Sequence, residues 1–293
     1  MKRRLSCLLP IFLVGLWAGY LFSGSQKAKP SKGAPGLAVI LERCAAYCEK
    51  LENSALYFVC TETMRDEVFE PRLKKTPEIN PGRLSSGRVL RQEIVGKRIA
   101  KNDFVYDYQL VRNNGRMDES RTLLSENGRK KREKNAQLKT SGYRYKNIVF
   151  GPVVLLGRQW QSQQNYEIIG EEKVQGKKAV VIRVTPKPRK WLGYLFGTIW
   201  VGKADSSIVR IEWSQESVEN YRPFQAFADK LGLKPDIVLT GEYGYEKNGI
   251  RFPSKFSIRE AFRYRPDREF SSYKLAVDFS AYRFFTVETE VTY

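Results

Sequence analysis

Three kinds of side chain in this 293-residue sequence could do chemistry: carboxylates set close together, cysteines at 44, 48 and 60, and a run of cations at 129–134. The carboxylate groups are Glu171 with Glu172, Asp103 with Asp107, and Glu288 with Glu290. A glycosidase needs two acids placed across one sugar, so such pairs are its minimum equipment. The i, i+2 spacing of Glu288 and Glu290, however, is that of two neighbours on the solvated face of one strand. The chain contains no histidine, which removes Ser-His-Asp and Cys-His sites and most zinc hydrolases. No Gly-rich phosphate loop or dinucleotide fingerprint is present to bring in a cofactor. The chain therefore reads as non-enzymatic, with no catalytic residue, no cofactor and no metal site.

The cysteines fall on two different elements. Leu37, Ile40, Leu41, Cys44, Cys48 and Leu51 recur at helical spacing, which puts Cys44 and Cys48 on the apolar face of a helix. Ala55 to Glu67 then alternates like a strand, with Leu56, Phe58, Cys60 and Met64 on one side. A helix packed on that side brings Cys60 toward Cys48 or Cys44. The nearer pairing, Cys48 with Cys60, is the expected disulfide, leaving Cys44 as a buried thiol; a redox switch using all three is the alternative.

The positioning elements begin after a segment of another kind. Lys2, Arg3 and Arg4 precede an uncharged run from Leu5 to Phe22, followed by the small residues Ser23-Gly24-Ser25. This is the pattern of an export signal over residues 1–25, either cleaved or kept as a membrane anchor. Residues 26–36 then read as a Lys, Pro and Gly linker, and 37–293 as a single folded domain. The formal charge of the whole chain is +19. In an exported protein that charge suits anionic lipid headgroups or an acidic envelope protein better than nucleic acid. The densest cations, Arg129, Lys130, Lys131 and Arg132, follow the Asn127-Gly128 turn. They read either as a solvated loop or as an anionic-headgroup or partner site.

Beyond residue 85 the chain is punctuated by Asn114-Gly115, Asn127-Gly128, Gln175-Gly176 and Asn248-Gly249. Such dipeptides supply the positive φ angles of tight hairpins. Between them lie β-branched and aromatic runs, giving about a dozen antiparallel strands from Val89 to a last one at Phe285–Tyr293. Tyr273, Leu275, Val277 and Phe279 oppose Lys274, Ala276, Asp278 and Ser280, so each strand has one dry face. The expected class is mainly β (α+β), a curved antiparallel sheet or half-barrel lidded by the N-terminal helix and a short central helix at Asn147–Gln161. Two small helices are scant cover for so many strands. Either the sheet packs a closed core of its own, or its concavity admits an apolar ligand, in which case a cavity of at least ~300 Å³ is expected.

One stretch resembles a known family. GTIWVGKADSSIVRIEWS (Gly197–Ser214), with Trp200-Val201-Gly202 leading to Val209-Arg210-Ile211, is followed by Asn248-Gly249-Ile250-Arg251-Phe252-Pro253. This succession, over residues 164–262, is similar to the outer-membrane lipoprotein-sorting (Lol-type carrier) superfamily, with Gly202 where the family carries an acid. Phe58-Val59-Cys60 after a cysteine-bearing helix also resembles uncharacterised exported bacterial proteins. The resemblance implies a half-barrel lidded by helices, whose concave face holds acyl chains in the carriers and serves sensing or regulation in relatives. It brings no catalytic residue and no numbered ligand contact. From the apolar pattern, Val209, Ile211 and Trp213 are expected to line the cavity, with Val153, Val154, Leu155, Leu156 and Trp160 as its lid. The expected protein is a periplasmic or secreted monomer binding an apolar or acyl-chain ligand; the alternative is an anchored interaction module with a closed core and a basic docking surface.

Overall fold

The computed structural model describes residues 36–54, 57–78, 89–113, 116–187, 195–218 and 221–285. The predicted export segment, nearly all of the predicted linker, the predicted Asn114-Gly115 turn and the last predicted strand beyond Phe285 lie outside the described residues.

Helix α1 (Leu37–Ser54) forms where the apolar spacing predicts it. Strands β1 (Tyr57–Glu78), β2 (Val89–Asn113), β3 (Arg116–Glu126) and β4 (Arg129–Glu133) follow. A 3-10 turn at Ile148–Phe150 leads into two short helices, α2 (Gly151–Leu156) and α3 (Arg158–Gln161). Strands β5 (Gln164–Val174), β6 (Lys177–Pro186), β7 (Gly197–Gly202) and β8 (Ile208–Trp213) precede helix α4 (Tyr221–Lys230). The chain then runs through β9 (Lys234–Glu242), the small hairpin β10 (Tyr245–Lys247) and β11 (Ile250–Phe252), and the long strands β12 (Lys255–Arg265) and β13 (Arg268–Phe284).

Eleven of these strands make one open, curved, antiparallel sheet in the order β4-β3-β2-β1-β13-β12-β9-β8-β7-β6-β5. The Asn-Gly and Gln-Gly turns do the work expected of them: Asn127 and Gly128, Gln175 and Gly176, and Asn248 and Gly249 all have φ between 50° and 80°. Both central residues of such a hairpin turn need a positive φ to match the twist of the strands. The two strands expected at Val89–Ile99 and Asp103–Arg112 are one, β2, which runs unbroken from Val89 to Asn113: Lys101 and Asn102 pair in register with Glu67 and Asp66, and the one irregularity in its ladder with β1 is a bulge at Ile99, opposite Val68 and Phe69. The cations at 129–132 are not a loop. They form β4, a fully exposed edge strand paired to β3, and a lysine- and arginine-rich edge discourages pairing with another chain.

The concave face carries the core. Met64, Tyr106, Leu123, Ile182, Ile199, Ile211, Ile258 and Leu275 are all buried there in one continuous cluster. Each such side chain contributes about 1.5–3 kcal/mol of transfer free energy. Three covers lie on it instead of two: the α1–α3 group, the irregular segment at residues 134–147, and α4. Helix α4 was not anticipated, since Pro223 breaks up its short pattern. It stacks Phe224 on Phe262 of β12, with ring centroids 4.2 Å apart.

A bulge in the β7–β8 pairing corrects one expectation. Arg210 pairs with Trp200 but Ile208 with Val201. The extra residue reverses the alternation, so Val209 joins Trp200, Ala179 and Val181 on the opposite face. Only Ile211 and Trp213 of the predicted wall face the lid.

Candidate functional site

The lid meets the sheet at a close approach. A Cβ at Gly151, the first residue of α2, would lie 2.7 Å from the Tyr243 hydroxyl, 3.1 Å from the Trp213 ring and 3.3 Å from Ile211. Glycine is what lets the helix start sit on those two predicted wall residues. Within α2, Val153, Leu155 and Leu156 are buried in the core and Trp160 of α3 packs against it from a half-buried position. Val154 does not join that core: one helical turn carries it to the outer side, where its carbonyl accepts a hydrogen bond from Gln164 at 2.8 Å.

The lid's fastenings are local and mostly lie at its rim. Arg158 of α3 donates to Glu42 at 2.7 and 2.8 Å and to Glu49 at 2.9 Å, all three side chains being exposed. Gln161 donates to the carbonyls of Leu41 and Leu156, Tyr166 to that of Leu155, and Tyr243 to that of Ile148. From the other side, the β10–β11 hairpin clasps α1. The Arg251 amide donates to Tyr47 at 2.9 Å, and Lys50 donates to the Asn248 carbonyl at 2.8 Å. The buried Arg251 guanidinium ties that hairpin to Ser207 and Tyr243. The Asn248–Pro253 motif thus has a job: it docks the N-terminal helix.

The cysteines correct another expectation. Cys44, Cys48 and Cys60 are all free and buried, and no Cys48–Cys60 disulfide forms. Helix α1 packs on α2 instead of directly over β1, so Cys48 meets the Pro152 carbonyl, 3.6 Å away. Cys60 lies against Tyr282. Burial pushes the thiols of Cys44 and Cys60 up to about 12, and that of Cys48 upward too. A thiol is nucleophilic only as the thiolate. We expect Ellman's reagent to leave all three untouched in the folded protein at neutral pH and to modify them after denaturation; reaction without denaturant would show that the lid opens.

The other half of the concave face is polar, and sequence reasoning missed it. Glu62 and Asp66 of β1 are fully buried. Arg121 of β3 donates to both oxygens of Glu62, at 2.7 and 3.2 Å, and lies 3.5 Å from Glu119. Its guanidinium rests 4.7 Å from the centre of the Tyr108 ring. Burial works against the Arg121 charge, but Glu62 and Glu119 outweigh it and hold the group protonated. Burial pushes the Glu62 carboxyl upward against the pull of Arg121 and Tyr145. Tyr108 and Tyr145 are driven well above the usual phenol range by the same burial.

Where the two halves meet, Arg121, Tyr145, Val149 and Tyr282 line a cavity of about 10 Å³. That is about the room one water needs, and far short of the ~300 Å³ expected of an open ligand pocket. At this junction the space is taken up by the chain's own side chains. Arg129, Lys130, Lys131 and Arg132 lie at the sheet's β4 edge, exposed; Lys131 is 3.6 Å from Glu126. Among the described residues no helix is long and apolar enough to cross a membrane.

No family model and no curated protein matches the sequence. Among solved structures, the chain is similar to a domain assigned to outer membrane lipoprotein sorting from Vibrio parahaemolyticus, with 11% identity over 85% of this chain and 94% of that one and a TM-score of 0.36. It is similar to a DUF1329 family protein from Desulfovibrio piger, with 12% identity over 86% and 95% of the two chains and a TM-score of 0.35. A LolA superfamily protein from Nitrosomonas europaea aligns at 10% identity over 87% and 96%, with a TM-score of 0.32.

Proposed function

We propose that this chain is an exported, non-enzymatic binding protein of the cell envelope, of lipid or lipoprotein carrier type, which takes an apolar or acyl-chain ligand between the α1–α3 lid and the concave sheet. Residues 37–293 act as its binding domain, behind an export segment and linker. One observation carries the reading: Val153, Leu155 and Leu156 share one apolar core with Ile211 and Trp213, while the lid's ion pairs sit at its exposed rim. Such a seam parts without exposing a buried charge. The cavity where the lid's leading end meets the polar half holds about 10 Å³, too little for an acyl chain, so the ligand must displace the lid and take the place of its side chains. The test is native mass spectrometry of the exported chain purified without detergent. Adducts of acyl-lipid mass are expected, and Trp213→Glu should abolish them while leaving the far-UV circular dichroism unchanged. A bare protein that also refuses added phospholipid would sink the reading.

The close packing of the lid on the sheet favours a second reading, an interaction module with a closed core whose basic β4 edge docks on an anionic surface. Cations near an anionic membrane are worth about 1 kcal/mol each. Reversing Lys130, Lys131 and Arg132 to glutamate is then expected to weaken binding to phosphatidylglycerol vesicles by at least about tenfold. Unchanged vesicle binding would dispose of this surface, whatever the lid does.

A further inference from the structure

The segment at residues 134–147 has no helix or strand over most of its length, yet it crosses the polar half of the concave face and buries Ala136, Leu138 and Thr140. Long structureless segments in compact domains usually have a role. From Ser141 to Asn147 its bonds to the sheet share one chemistry. The Ser141 amide and hydroxyl donate to Asp66, at 3.1 and 2.6 Å. Tyr143 donates to Glu260 at 2.7 Å, Tyr145 to Glu62 at 3.0 Å, and the Asn147 amide to Glu119. Four carboxyl groups from β1, β3 and β12 therefore hold the strap through neutral donors. Gly142 seats it against the sheet, since a Cβ there would come within 3.0 Å of the Tyr273 ring.

Glu260 differs from Glu62 and Glu119 in having no charge to answer its own. Glu62 and Glu119 share Arg121. Among the described residues, Glu260 meets only the Tyr143 hydroxyl on one oxygen and Ser272, at 3.5 Å, on the other. The titratable groups around it are Tyr143 and Arg144 from the strap, Tyr273 from β13 and, through the Tyr273 hydroxyl, Asp66 from β1. Arg144 is turned away onto the carbonyls of Thr140 and Tyr143. Around Glu62 stand Arg121 and Glu119 from β3, Tyr106 and Tyr108 from β2, Cys60 from β1 and Tyr145 from the strap.

We propose that the strap is a proton-responsive clamp: it closes over the polar half of the sheet when Glu260 is neutral and loosens as Glu260 ionises. The physical cause is solvation. With the strap down, Glu260 is half-buried and faces neutral hydroxyls, a setting that disfavours the charged form. With the strap up, water surrounds it fully. Burial indeed pushes the Glu260 carboxyl upward, its bonds from Tyr143 and Ser272 only partly offsetting this. An acid whose pKa is raised in the closed form stabilises that form below its ordinary range, and the contribution is lost as pH rises through the raised value. The strap therefore tightens toward acid. It runs directly into the turn at Ile148–Phe150 that precedes α2, so loosening it frees the leading end of the lid. The clamp itself does not depend on what the lid covers.

Hydrogen exchange of the full chain, read by mass spectrometry over the strap peptides and corrected for intrinsic exchange chemistry, tests this directly. Going from about pH 8 to about pH 5, strap protection is expected to rise, by up to about tenfold for each unit by which Glu260 titrates differently in the two forms. Glu260→Gln keeps an acceptor for Tyr143 without the charge, and is expected to stay protected at both pH values. Tyr143→Phe should exchange faster throughout. Wild-type protection that is flat or falls toward acid overturns the clamp, and so does a full pH response in Glu260→Gln. No ligand enters the measurement, so its outcome is separate from that of the lipid-binding test.

Discussion

Replacing Arg121 with methionine is expected to cost about 3–5 kcal/mol of folding stability, measured by urea denaturation, because it strands a fully buried carboxylate. Glu62 would keep only the Tyr145 hydroxyl at 3.0 Å and would face Glu119 without the guanidinium between them. Methionine nearly fills the volume and can still lie against the Tyr108 ring, so lost packing accounts for little of the loss. Removing both partners, as in Glu62→Leu with Arg121→Met, is expected to recover most of it, since neither charge then remains in low dielectric. An exposed pair supplies the contrast. Arg183 and Glu167 stand 3.0 Å apart with more than half of each side chain in solvent, and breaking that pair should change stability by less than about 1 kcal/mol. If Arg121→Met cost no more than that, the polar half of the sheet would be open to water, and the strap would not be a cover at all.

This pair also shows where the sequence stops being legible. The alternation Phe58, Cys60, Met64 correctly marks the inner face of β1, but Glu62 and Asp66 occupy the same parity. A carboxylate at a core position is a signal that can be read. What it requires is a partner, and Arg121 lies 59 positions away on a strand whose placement depends on the whole sheet order. The lid was easier, because α1 and Gly151–Gln161 declare themselves by local spacing. The one misplaced wall residue, Val209, failed on a bulge, which shifts parity without leaving a mark in composition. The disulfide failed differently. Two cysteines on inward faces need not face each other, and here α2 came between helix and strand. Helix α4 and edge strand β4 were lost to the opposite error, since Pro223 and the cation run both resemble loop punctuation.

Leu155→Ala should be nearly as costly as the loss of Arg121, for an unrelated reason. Leu155 is fully buried in the core cluster that contains Ile211 and Trp213, and such truncations cost about 2–5 kcal/mol, the upper part when the void cannot collapse. The lid is fastened on several sides, by Arg158 to α1 and by Tyr166 and Gln164 to its own carbonyls, so collapse is restricted and the higher part of that range is expected. The void is apolar and stays dry, which makes it a small receptor for apolar matter. Thermal denaturation with and without a short-chain alkane in excess then separates the two readings of this fold. A chain whose lid seam admits acyl groups should recover stability as ligand fills the space, in proportion to RT ln(1 + [L]/Kd). A closed-core module should lose the same stability and recover none of it, because its lid does not part to let the ligand in. A cost below about 1 kcal/mol would contradict both, since it would mean that α2 is not seated on the sheet in solution.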